Sequence, residues 1–199
     1  MKDIFLSEIL ATRLSHDLIG NIGAVANAIE LLNDGDEDDK EDISNILNFS
    51  SNVLSKRLKF FRLCFGLSNA SVKNMEELKD ITKDYLLTLG NPNFPIDLEL
   101  NISTPKIYKL VMPSVMMMAD TIIKGGKINV IQTDESLIIE ANSSSPLNTN
   151  KLNNIANILK GNDVEDNISS YAPIYYLISY LAGSGVVMNI DGNKLIIGD

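Results

Sequence analysis

From Leu14 onward, apolar residues return at Leu18, Ile22, Val25, Ile29 and Leu32. These spacings of four and three place them in one stripe about 80° wide on a helix turning about 100° per residue. The pattern predicts a helix from about Asp3 to Asn33. The acidic segment NDGDEDDKED, with Gly35 in it, breaks the pattern. A second helix is predicted from about Asp42 to Phe65, with Leu47, Leu54, Leu58, Phe61 and Phe65 on one stripe and GLSNAS closing it. Two long arms with a short connection make an αα-hairpin.

After Ser71 the periodicity becomes mixed. NMEELKDITKDYLLTLG reads as a helix closed by Gly90, and the alternating PIDLELNI as a strand. A further helix is capped by Thr104, has Pro105 in its first turn, carries Pro113 inside and ends at Gly125 and Gly126. KINVIQ and SLIIEAN flank Thr133-Asp134 as a hairpin. KLNNIANILKG and SYAPIYYLISYLAGSG read as helices. VVMNIDGNKLIIGD reads as a last hairpin turning at Asp191-Gly192-Asn193. The fold class is α+β: residues 1–70 form a helical hairpin, and residues 71–199 lay helices on a mainly antiparallel sheet. Two helices alone bury too little surface to be a finished domain. The economical solution is a second copy, giving a homodimeric four-helix bundle.

Charge and composition narrow the partners. A net charge of −9 lacks the basic footprint that nucleic acid requires. The one cysteine, Cys64, excludes an internal disulfide framework and fits a reducing compartment. The N-terminal MKDIFLSEIL has no secretory pattern, and the apolar run VMPSVMMMADTII is interrupted by Asp120 and is shorter than the roughly 20 residues of a membrane span. The expectation is a cytoplasmic protein with no membrane or nucleic-acid partner.

The first arm also carries the chain's one histidine, His16. It lies two residues from both Leu14 and Leu18, so it points roughly 160–200° away from the apolar stripe. Gly20, Gly23, Asn27 and Glu30 share its face, Thr12 lies one turn before it, and Arg13 sits beside that line. Each glycine costs about 1 kcal/mol relative to alanine inside a helix. Clearance for a partner's backbone or helix beside an exposed imidazole would offset that cost. The alternative is an ordinary surface histidine with the glycines marking a break between two shorter helices.

The word SHDLIGN resembles the phosphoacceptor motif of histidine kinases, and SHDLIGNIGAVANAIELL resembles the ChpT family of alphaproteobacterial histidine phosphotransferases. The resemblance implies a kinase-like helical hairpin followed by a degenerate, Bergerat-type α/β sandwich. It implies that His16 accepts a phosphoryl group from the receiver domain of a hybrid histidine kinase and passes it to response regulators, in a relay of cell-cycle or developmental kind. Five residues after the histidine such motifs usually carry proline, where this chain has Asn21. Asp17 either orients the imidazole or is a solvated acid. Arg13 either offsets phosphoryl charge or pairs with a nearby acid. Thr12, Gly20, Gly23, Asn27 and Glu30 form the expected receiver-docking face. Lys56, Arg57, Lys59 and Arg62 either meet an acidic receiver or form a solvated face.

An active kinase of that frame would place asparagine near Met117, an aspartate with glycines where Asn142 and SSSP stand, and a glycine-rich turn where SSYAPIYYL stands. All three places lack that chemistry. The resemblance therefore implies a phosphotransfer protein with no nucleotide cofactor of its own and with Mg²⁺ held by the partner receiver. Two rival readings remain. One is a non-catalytic dimeric interaction protein that inhibits a kinase or response regulator. The other is an active kinase with a divergent ATP site.

Overall fold

The computed structural model describes residues 3–34, 40–67, 71–90, 93–164 and 167–198. The first arm is helix α1, Asp3–Asp34, and the second is α2, Lys40–Phe65. Helix α1 runs unbroken through Gly20, Asn21 and Gly23, so the glycines do not divide it into two helices. Gly35 and Ser68 to Ala70, read as breaks in the sequence, lie outside the described residues.

The rest of the chain contributes α3 (Met75–Leu87), β1 (Ile96–Asn101), α4 (Tyr108–Ala119), β2 (Gly126–Gln132) and β3 (Ser136–Asn142). It closes with α5 (Thr149–Leu159), α6 (Ala172–Tyr180), β4 (Val187–Asp191) and β5 (Lys194–Gly198). The five strands form one sheet in the order β1-β2-β3-β5-β4, parallel only between β1 and β2. Period-two alternation puts Ile128, Val130, Leu137, Ile139, Leu195 and Ile197 on one buried face. Helix α4 packs on β2 and β3, α3 on β1 and α5 on β4, which makes a helix layer on a sheet layer. The opposite face carries cross-strand pairs such as Lys194 with Glu140, 3.5 Å apart.

Several element ends differ from the sequence reading, among them α6, which stops at Tyr180 and does not reach Gly185. Helix α3 stops at Leu87 with Thr88 as its cap in the right-handed region, not at Gly90, whose added Cβ would meet the Phe94 carbonyl oxygen at 2.9 Å. The segment capped by Thr104 begins as a 3₁₀ turn, Pro105–Ile107, and α4 proper ends at Ala119 well short of Gly125.

The hairpin is not separate from the sheet. Ile9 of α1 and Phe60, Phe61, Leu63 and Cys64 of α2 are buried in the same core as α4 and the sheet. Phe60 stacks on Tyr85 of α3 at 3.9 Å between ring centroids. The change near residue 70 is thus a change in the chain's pattern, not a gap in the core. Leu14, Leu18 and Phe65 are half-buried against that core. Farther along the arms, Ile22, Ile29, Leu32, Ile46 and Phe49 stand exposed, with Phe49 at 67%.

Candidate functional site

His16 lies in the middle of α1, at the level where the hairpin meets the α/β part. Its side chain is 78% exposed, as its place opposite the apolar stripe requires. Its Nδ1 lies 3.4 Å from Asp17 Oδ1, a long contact.

Asp17 is held from its other oxygen. Arg13 Nε donates to Asp17 Oδ2 at 2.8 Å, one helical turn back. The same guanidinium forks onto Asp120 at the end of α4, with Nη1 to Oδ2 at 2.7 Å and Nη2 to Oδ1 at 3.2 Å. Nη1 also donates to the Ser170 carbonyl at 3.1 Å. A planar guanidinium suits this work because its donors form a fixed fork. Lys151 of α5 adds a second cation, its Nζ 3.4 Å from Asp120 Oδ2 and 4.7 Å from the centre of the Tyr171 ring.

Burial sets the electrostatics of this group. Arg13 is buried, which by itself would push its pKa down. The charge and hydrogen bonds of Asp120, with Asp17 adding to them, reverse the sign and raise it. Lys151 goes the other way: burial lowers it and Asp120 only partly compensates. The buried Tyr85 hydroxyl is pushed well up, by burial first and then by the negative charge of Asp120.

A cleft of about 280 Å³ opens between these residues, with His16 at its rim and Asn148, Asn167 and Ser169 on the far wall. It brings together side chains from α1, the end of α4, the start of α5 and the 3₁₀ turn Ile168–Tyr171.

The other sequence candidates divide. Thr12, Gly20, Asn27 and Glu30 are exposed, and Gly23 is partly so. A Cβ added at Gly20 or Gly23 would meet nothing within 4 Å, so the chain itself does not require either glycine. The basic segment of α2 divides: Lys56 pairs with Asp84 at 2.9 Å, while Lys59 and Arg62 are exposed. Arg57 is a strut. Its Nη1 donates to the Asp17 carbonyl and its Nη2 to the Thr88 carbonyl at 2.8 Å, which ties α1 to the end of α3. Met117 is fully buried in the core. Among the described residues no group of three or more His, Cys, Asp or Glu side chains is placed to hold a metal ion. No described helix is long and apolar enough to cross a membrane.

Sequence reasoning missed Asp120 and Lys151 as parts of the site. Asp120 had one visible signal, a charge set against the apolar run VMMMA. Lys151, in the polar run NTNKLNN, had none.

This arrangement, a helical hairpin against a helix-on-sheet layer, has a counterpart among solved structures. The chain superposes on a solved structure described as the 1.7 Å structure of a bacterial phosphotransferase with a TM-score of 0.74. The superposition covers 99% of this chain and 96% of that one, at 18% identity, so the likeness is one of fold. In sequence, the chain is 26% identical over 127 residues to protein phosphotransferase ChpT of Brucella abortus (strain 2308). That match spans 63% of this chain and 59% of that protein, less than two thirds of the relative's length. No family model matches the chain. The ChpT-type resemblance read from residues 12–32 is borne out by these two likenesses.

Proposed function

We propose that this protein is a histidine phosphotransferase of a bacterial phosphorelay, acting in the cytoplasm as a homodimer. It takes a phosphoryl group on His16 from a receiver-domain aspartate and hands it to the aspartate of a response regulator. The observation that carries this reading is the stance of His16: exposed at its tip, with its Nδ1 beside the anchored Asp17 and two side-chain-free positions along the same face. The likeness to ChpT supports it at the level of the family.

The chemistry balances without a cofactor of the chain's own. With the proton on Nδ1, the Nε2 lone pair attacks the phosphorus of an acyl phosphate. The P–N bond forms as the P–O bond to the aspartyl carboxylate breaks, and the carboxylate leaves with the electron pair. No proton need move. The ring gains positive charge as it bonds, and the Asp17 carboxylate beside Nδ1 stabilises that charge. Such transfers need in-line placement and charge neutralisation more than covalent machinery, and Mg²⁺ belongs to the receiver's acidic pocket. Thr12, Gly20, Gly23, Asn27 and Glu30 supply the face on which the receiver settles.

The dimer is supported by the exposed apolar residues Ile22, Ile29 and Leu32 of α1 and Leu58 of α2, which the chain's own core leaves uncovered. The absence of ATP chemistry in the α/β part is supported by the residues at its three expected places, the sealed Met117 among them.

The test is to mix the protein with a phosphorylated receiver domain and no ATP. Label should move to this chain, and Ala in place of His16 should abolish the transfer. A complex that forms without transfer would favour the rival reading, a dimeric inhibitor of a kinase or response regulator.

A further inference from the structure

We propose that the α/β part of this chain positions the phosphoacceptor: Asp120, acting through Arg13, fixes Asp17 so that His16 keeps its proton on Nδ1 and presents the Nε2 lone pair outward. This presupposes that His16 is the nucleophile. It adds that His16 owes its competence to a carboxylate from the other half of the fold.

Neutral imidazole carries one N–H, and the hydrogen-bond partner of that group decides which nitrogen holds it. An exposed aspartate on an isolated helix would exchange rotamers and give the ring no lasting preference. Asp17 is not in that position. Its side chain is only 13% exposed, and Arg13 Nε occupies its Oδ2, which leaves Oδ1 for His16. Arg13 cannot swing away either, because Nη1 and Nη2 are both committed to Asp120 and Nη1 also reaches the Ser170 carbonyl.

Asp120 is in turn fixed by the fold. It caps α4, and its own N–H is bonded to the Met116 carbonyl at 3.3 Å. The α4 residues before it, from Val111 to Ala119, are all buried. Lys151 and the Ser170 carbonyl close the group from the far side of the cleft. The relay thus runs from the end of α4 to the edge of the imidazole: the side chains of Asp120, Arg13 and Asp17 are 16%, 9% and 13% exposed, and only His16, at 78%, opens to solvent. Asp120 and Arg13 are positioning residues, since neither reaches the reacting nitrogen.

Because His16 is the one histidine in the chain, its ring can be read without assignment in protein carrying ¹⁵N-labelled histidine. The probe for reactivity is phosphoramidate, a small phosphoryl donor that needs no receiver docking. In the full-length wild type, the neutral ring should show the Nδ1–H tautomer pattern and His16 should accept phosphoryl from phosphoramidate. Asp120→Asn should move the ring toward the Nε2–H pattern and slow labelling about tenfold, the scale on which outer partners act on an imidazole they orient. Asp120→Glu should restore part of both.

A wild-type ring that is mainly Nε2–H overturns the proposal without any variant. So does an Asp120→Asn protein that keeps the wild-type tautomer and labelling rate. If Asp120→Asn does not fold, Arg13→Lys replaces it: the charge stays but the fork is lost, and the same tautomer shift is expected. The relay reading is tested separately. A protein labelled by phosphoramidate but never by a phosphorylated receiver would retain the positioning device and lose the relay. One that takes phosphoryl from a receiver at the wild-type rate with Asp120→Asn in place would do the reverse.

Discussion

Arg13 and Asp120 lie 107 residues apart in the chain and meet in a bidentate ion pair beside His16. One end of the pair belongs to the helix that carries the histidine and the other to the helix that covers the sheet. The same guanidinium also binds Asp17, so a single side chain joins the two halves of the fold and the site.

Stability should report this asymmetry. Arg13→Met removes a buried guanidinium and leaves two half-buried carboxylates short of their main cation, which should cost about 3 kcal/mol. Lys151→Met should cost no more than about 1 kcal/mol, because burial already disfavours the Lys151 charge and Asp120 keeps its fork to Arg13. Urea midpoints at unchanged slope would measure both. Equal losses in the two variants would contradict the assignment of Arg13 as the central cation.

The outer halves of the arms should hold two copies together. Ile22→Asp combined with Ile29→Asp places charge on two exposed apolar positions of α1 and should yield a folded monomer by light scattering. A wild-type protein that is already monomeric at micromolar concentration, with its helices intact, would rule the dimer out.

Much of this was legible in the sequence. Among the described residues, α1 to α6 and β1 to β5 were all located from the sequence: most bury one face and the pattern records which one, while α4, buried all round from Val111 to Ala119, was marked by its Thr104-Pro105 start. The outward stance of His16 followed from its offset from Leu14 and Leu18. The partners of Arg13 did not follow, since a helical wheel gives a direction and not what lies in it. The seam residues were also only half separable. Leu18 and Ile22 look alike on the wheel, yet Leu18 is half-buried against the chain's own core and Ile22 is 49% exposed. Element ends such as Thr88 were hidden because a cap in the right-handed region needs no glycine.

The glycines of α1 should prove to be held for a partner. Gly20→Ala should raise stability by about 1 kcal/mol, because the new Cβ meets nothing and helix propensity improves. Gly23→Leu should leave His16 reactive toward a small donor yet slow transfer from a receiver by obstructing its approach. Thermal melts and single-turnover transfer rates check the pair. Wild-type transfer by Gly23→Leu would leave the glycines needing a structural account.

The α/β part should not handle ATP. Calorimetry with Mg-ATP should show no heat of binding, and incubation with labelled ATP should leave the protein unlabelled. Micromolar affinity would mean that the buried Met117 region and the Asn142 loop form a nucleotide site of a different kind.

Phosphoryl passage through His16 can be seen directly. The experiment is mass-spectrometric mapping of the phosphoryl group after the full-length protein meets a phosphorylated receiver in the absence of ATP. A single acid-labile phosphoryl should be found on His16 and should be lost again when an unphosphorylated receiver is added. A phosphoryl found on another residue, or no transfer at all from receivers that bind the protein, would contradict that passage.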